Sequence, residues 1–121
     1  MKKNIRYGLI IMLLVGLIFG AQAVTAQDAG RKIDIHAKRF TFEPAEITVK
    51  KGETVTLVLT SEDVPHSLVI NDLGVKGNMI KGQVTNVTIT PTKAGTFQGK
   101  CGRFCGSGHG SMKFTVHVTD N

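Results

Sequence analysis

From Lys32 to Val118 apolar and polar residues alternate with a period of two, interrupted at short intervals by glycine- and proline-containing turns. That period places successive side chains on opposite faces of an extended strand. It reads as strands over Lys32–His36, continuing through Arg39–Glu43 until Pro44 breaks the pattern, then Ile47–Val49, Glu53–Thr60, Ser67–Ile70, Val84–Thr90 and Lys113–Val118. Proline cannot donate into a ladder, which is why Pro44 marks a boundary. Glu53–Thr60 is the clearest strand, rich in β-branched residues that suit a pleated surface. A short segment, Gly95–Gln98, leads toward the first cysteine, and glycine-rich Asn71–Gly82 reads as surface loop. No stretch carries a helical period of useful length. Seven or eight short strands with turns between them predict an all-β sandwich or barrel in a single domain.

One stretch does not belong to that pattern. Cys101-Gly102-Arg103-Phe104-Cys105-Gly106-Ser107-Gly108-His109-Gly110-Ser111-Met112 holds both cysteines of the chain in a C-x3-C-x3-H-x2-M spacing. Thiolate, imidazole and thioether are soft or borderline ligands that select copper or zinc over magnesium or calcium. Interspersed glycines let such a loop curl until its ligands converge. The competing reading is a Cys101–Cys105 disulfide. It would close a very short loop, constraining the unfolded chain little, and would leave His109 and Met112 without a role. The complete set of side chains therefore points to a metal.

Lys2, Lys3 and Arg6 precede an apolar run from Tyr7 to Phe19, followed by Ala21-Gln22-Ala23 and Val24-Thr25-Ala26. A basic start, a short apolar core and small residues at the cleavage positions are the marks of a secretory signal peptide. Residues 1–26 are expected to be that signal and 27–121 the working domain. An uncleaved anchor through residues 7–23 is the alternative, although spanning a bilayer takes roughly 20 apolar residues. Either way the domain is expected to be exported to the periplasm or another extracytoplasmic space. Removing Lys2, Lys3 and Arg6 lowers the formal charge from +6 to +3. That is too weak and scattered to argue for nucleic acid.

A loop of this kind needs a further ligand from the frame. His36 and His117 lie within alternating strands and read as surface or satisfied strand residues. His66 follows Val64-Pro65 where a loop meets a strand, and is the candidate. With it the chain resembles a known family. Asp63-Val64-Pro65-His66-Ser67, then Leu73-Gly74-Val75-Lys76, then the cysteine loop are similar to the copper-binding domain of cytochrome c oxidase subunit II, over about Lys32 to Val118. The C-terminal domain of nitrous-oxide reductase carries a similar site. Both are cupredoxins, so the resemblance implies a Greek-key β-sandwich. It further implies a CuA centre of two copper ions, with Cys101 and Cys105 as bridging thiolates and His66 and His109 as terminal ligands. Met112 and the backbone carbonyl of Arg103 would be the weak axial ligands.

The implied role is one-electron transfer in a respiratory chain, with a cytochrome or a terminal reductase as redox partner and no catalysis by this chain alone. Two departures bear on that role. Arg103 stands where the family's oxidase members carry a glutamate that helps form a second metal site, so that site is expected to be absent. There is no tryptophan, whereas those members use an aromatic segment with tryptophan to receive electrons. A stand-alone electron carrier is therefore expected rather than an oxidase subunit in the strict sense. The alternative is a periplasmic copper-binding or delivery protein with a mononuclear or labile copper.

Overall fold

The computed structural model describes residues 30–121. The expected signal segment and the anchoring stretch 7–23 lie outside the described residues. Among the described residues nine strands run in order: β1 (Arg31–Lys38), β2 (Thr41–Glu43), β3 (Glu46–Lys50), β4 (Val55–Ser61), β5 (His66–Ile70), β6 (Val75–Met79), β7 (Thr85–Ile89), β8 (Gly95–Cys101) and β9 (Lys113–Thr119). They form two sheets, β2-β1-β4-β7 and β3-β9-β8-β5-β6. The first strand pairs in parallel with β4, and β3 with β9; the remaining pairs are antiparallel. The all-β sandwich read from the alternation is the observed architecture.

The period-two pattern explains which side chains fill the space between the sheets. Along β4, Val55, Leu57, Leu59 and Ser61 are buried while the residues between them are half-exposed. Along β9, Phe114, Val116 and Val118 face inward. Phe42 of the first sheet meets Phe114 of the second edge-on, ring centres 5.9 Å apart. Burying side chains of this size contributes about 1.5–3 kcal/mol each, which is what holds the frame together.

Two expectations about the strands need correction. Lys38 ends β1, and the chain reverses at Arg39–Phe40 so that β2 pairs back on it (Lys38 opposite Thr41, Ala37 opposite Phe42). The apolar positions shift from odd (Ile33, Ile35, Ala37) to even (Phe40, Phe42) across Lys38-Arg39, and that slip of phase is the trace the reversal leaves in the sequence. Val75–Met79 is a strand and not a surface loop. Gly77, the residue that suggested a loop, is a point of close approach. A Cβ there would collide with the Leu59 side chain and lie 3.0 Å from Val87 Cγ2, both on the opposite sheet. In addition, β8 reaches as far as Cys101, so the first cysteine is anchored in a strand.

Candidate metal centre

Three connections meet at one end of the sandwich: the β1–β2 reversal, the β4–β5 loop and the long β8–β9 loop. Arg39 ties them together. Its backbone N–H donates to Asp63 Oδ2 at 2.8 Å, and its Nε donates to the Cys105 carbonyl at 3.1 Å. Phe40 packs under Gly106 and Gly108, where any Cβ would run into its ring. Gly106 also has φ +137°, a conformation L side chains rarely adopt. The loop closes on itself through a 3-10 turn at His109–Ser111, with His109 N–H donating to Gly106 O at 3.1 Å and the Ser111 hydroxyl to Gly108 O at 2.7 Å.

This framework brings all six sequence-derived site residues to one place. The Sγ atoms of Cys101 and Cys105 are 3.8 Å apart. Ligand atoms of His66, Cys101 and Cys105 lie within 4.8 Å of one another, and all three residues are buried. His109 Nδ1 is 3.7 Å and Met112 Sδ 3.4 Å from Cys105 Sγ. The carbonyl oxygen of Arg103 lies 3.0 Å from Cys101 Sγ, while its side chain is on the surface. His36 and His117 are elsewhere, bonded to Thr60 and Glu46. The two sulfurs are nearly twice the ~2.05 Å of a disulfide apart, and both cysteines are free.

His66 opens β5 with its side chain wholly buried. Its Nε2 is 2.7 Å from Asp63 Oδ1. Burial would raise the Asp63 carboxyl, but the Arg39 N–H, His66 and the Val64 N–H outweigh it and hold it at about 2. An ionised carboxylate only accepts, so Nε2 carries the proton of that bond, and in the neutral ring Nδ1 keeps the lone pair. Nδ1 is buried without a partner. An orphaned buried acceptor costs about 1–3 kcal/mol, and a metal ion is the partner that would remove that cost. Burial also pushes the Cys105 thiol up to about 11, helped by Cys101 and Asp63. Cations at the site would reverse that effect. The donor set of two thiols, two imidazoles, a thioether and a carbonyl fits copper.

Sequence reasoning gave no role to Asp63, Arg39, Phe40 or Phe104. Asp63 stands three residues before His66 and could have been found from that spacing. Arg39 and Phe40 are 66 or more residues from the loop they support, and nothing local marks them. Phe104 is 77% exposed and tilts against His109, ring centres 5.8 Å apart.

Comparison with known proteins bears on the family and the fold. A family model described as a cupredoxin-like domain matches residues 9–115. Two proteins named probable cytochrome c oxidase subunit 2 are 44% and 46% identical over 68 residues, one from Streptomyces avermitilis and one from Streptomyces coelicolor. The matched stretch is 56% of this chain but only 21% of each relative. The periplasmic domain of cytochrome oxidase subunit II of Bradyrhizobium japonicum superposes with TM-score 0.70 at 20% identity, over 75% of this chain and 85% of that one. At that identity the likeness concerns the fold.

Proposed function

The chain belongs to the cupredoxin-like domain family, and from that premise we propose that it is an extracytoplasmic one-electron carrier with a dinuclear copper centre of the CuA type. The observation that carries the reading is the pair of buried, unpaired thiols 3.8 Å apart with an imidazole on either side. A mononuclear blue-copper site uses one thiolate; a second, equally buried one is accounted for by a bridge. In this reading the Cys101 and Cys105 thiolates, the His66 and His109 imidazoles, the Met112 thioether and the Arg103 carbonyl would hold the copper, the two thiolates shared between the ions. Two thiolate-bridged coppers, when bound, supply a redox centre in which one electron is shared over both ions.

The chain's own part is to hold the donors still and dry. Asp63 fixes the tautomer and the orientation of the His66 ring, an outer-shell role that raises ligand basicity. Gly102 N–H is held by Ser67, 3.1 Å from its hydroxyl and 3.2 Å from its carbonyl, and Cys101 N–H donates to Met112 O at 3.3 Å. A loop with this many internal restraints keeps its geometry when the charge of the centre changes by one. His109 is the most accessible imidazole of the set, only half-buried. The delivery alternative is less well supported, because Cys101, Cys105, Met112 and His66 are 5% exposed or less and offer no easy hand-over.

Exchange of each thiol in turn tests the reading. Copper-loaded Cys101→Ser and Cys105→Ser are each expected to lose the dinuclear absorption and resonance signature. A dinuclear signature surviving in either variant would refute the bridging assignment.

A further inference from the structure

The outer face of the five-stranded sheet carries a row of cations that its own fold leaves uncompensated. Lys76 on β6 is opposite Val69 on β5, Val69 is opposite Lys100 on β8, and Lys100 is opposite Lys113 on β9. All three lysines are exposed. None of them forms an ion pair among the described residues, where Lys38 pairs with Glu43 and Lys51 with Asp120. Like charges directly opposite on an antiparallel pair are destabilising, so Lys100 and Lys113 work against the ladder they stand on. At about 4.8 Å per strand the row spans roughly 14 Å. Half-buried Val69, exposed Asn71 and Gln98 and buried Gly99 line a shallow groove with Lys100 and Lys113.

The position of the row relative to the candidate metal centre gives it meaning. Lys100 immediately precedes Cys101, and Lys113 immediately follows Met112. The two ligands are buried and the two lysines exposed, Lys100 and Cys101 by alternation along β8 and Met112 at the turn that leads into β9. The loop between them adds a third element, exposed Arg103 beside exposed Phe104, whose ring rests against His109. We propose that the lysine row of Lys76, Lys100 and Lys113, together with exposed Arg103 and Phe104 on the adjoining loop, is the docking surface for a redox protein whose contact face is acidic. The inference rests on the electron-carrier reading and adds the partner's chemistry. Complementary charge of this kind accelerates encounter and makes it salt-dependent. A footprint of this width suits the small interfaces of transient redox encounters. A basic cytochrome would be repelled.

The test is stopped-flow reduction of the copper-loaded full chain by two reduced proteins, an acidic b-type cytochrome and a basic c-type cytochrome. In each reaction one electron leaves the haem iron, Fe(II) becoming Fe(III), and reduces the copper centre. The wild type is expected to react faster with the acidic donor, with a rate that falls steeply as salt is raised. Combined Lys76→Gln, Lys100→Gln and Lys113→Gln is expected to lower that rate about tenfold at low salt and flatten its salt dependence, with the copper spectrum unchanged. An intact spectrum with equal rates in wild type and variant, or preference for the basic donor, overturns the docking inference alone. Binding of the row to anionic lipid vesicles with no change in electron-transfer rate also overturns it. Absence of a dinuclear centre in the copper-loaded wild type overturns both readings.

Discussion

Replacing Asp63 should affect folding and metal affinity together, because one carboxylate serves both. Three donors converge on it: the backbone N–H of Arg39 at 2.8 Å, that of Val64 at 2.6 Å and His66 Nε2 at 2.7 Å. A hydrogen bond to a charged group contributes about 1.5–3 kcal/mol, and a buried donor left unpaired costs about 1–3 kcal/mol. The His66 ring is fully buried and bears that cost in full. The Asp63 side chain is 35% exposed, so water takes over part of what the two backbone donors lose. Asp63→Ala is therefore expected to destabilise the metal-free protein by about 2–4 kcal/mol. Asp63→Asn keeps one oxygen and loses the charge, and should cost about 1–2 kcal/mol. Urea titration at neutral pH reads both, as a shift in midpoint at constant slope. Copper affinity should fall about 10–100-fold in either variant. A metal-free Asp63→Ala within about 0.5 kcal/mol of wild type, or one with undiminished copper affinity, would show that Asp63 does not hold His66 in place.

Two further outcomes follow from the same contacts. Gly108→Ala places a methyl on the Phe40 ring and should cost about 1–3 kcal/mol by overpacking; pairing it with Phe40→Leu should recover part of the loss in a urea titration, and no recovery would mean the two do not touch. Glu53 accepts from the Lys50 N–H and pairs with Arg31, which lowers its pKa; its contribution is present above the unfolded-state value of about 4.3 and is lost as pH falls through the lower folded value. The melting-temperature gap between wild type and Glu53→Gln should thus narrow below about pH 4, and a gap unchanged from pH 7 to 3 would contradict the assignment.

The frame was legible because its signal is local. Val55, Leu57 and Leu59 recur at every second position of a β-branched-rich run, and the sheet buries that set while leaving Thr56, Val58 and Thr60 between them half-exposed. The reversal at Arg39–Phe40 shows in the sequence only as a one-residue slip of the period at Lys38-Arg39. The sixth strand was missed because Gly77 reads as a loop residue until Leu59 and Val87 of the other sheet are seen against it. The cluster of Cys101, Cys105, His109 and Met112 could be read from spacing within one loop. His66 could be picked out as the candidate by its place after Val64-Pro65, where a loop meets a strand, and the family resemblance then supplied its expected role. Apart from Asp63, three residues before His66, what supports the cluster could not be read: Arg39 reaches Cys105 across 66 positions of sequence, a proximity created by the fold and carried by no local pattern.

The central claim is that two coppers share one electron between two bridging thiolates. Loading the full chain with copper and recording the metal-to-protein ratio together with the electron paramagnetic resonance spectrum tests it most directly. Two coppers per chain are expected, with hyperfine structure from one unpaired electron shared over two copper nuclei. One copper per chain with single-nucleus splitting would contradict it and leave either Cys101 or Cys105 as the lone thiolate of a mononuclear site.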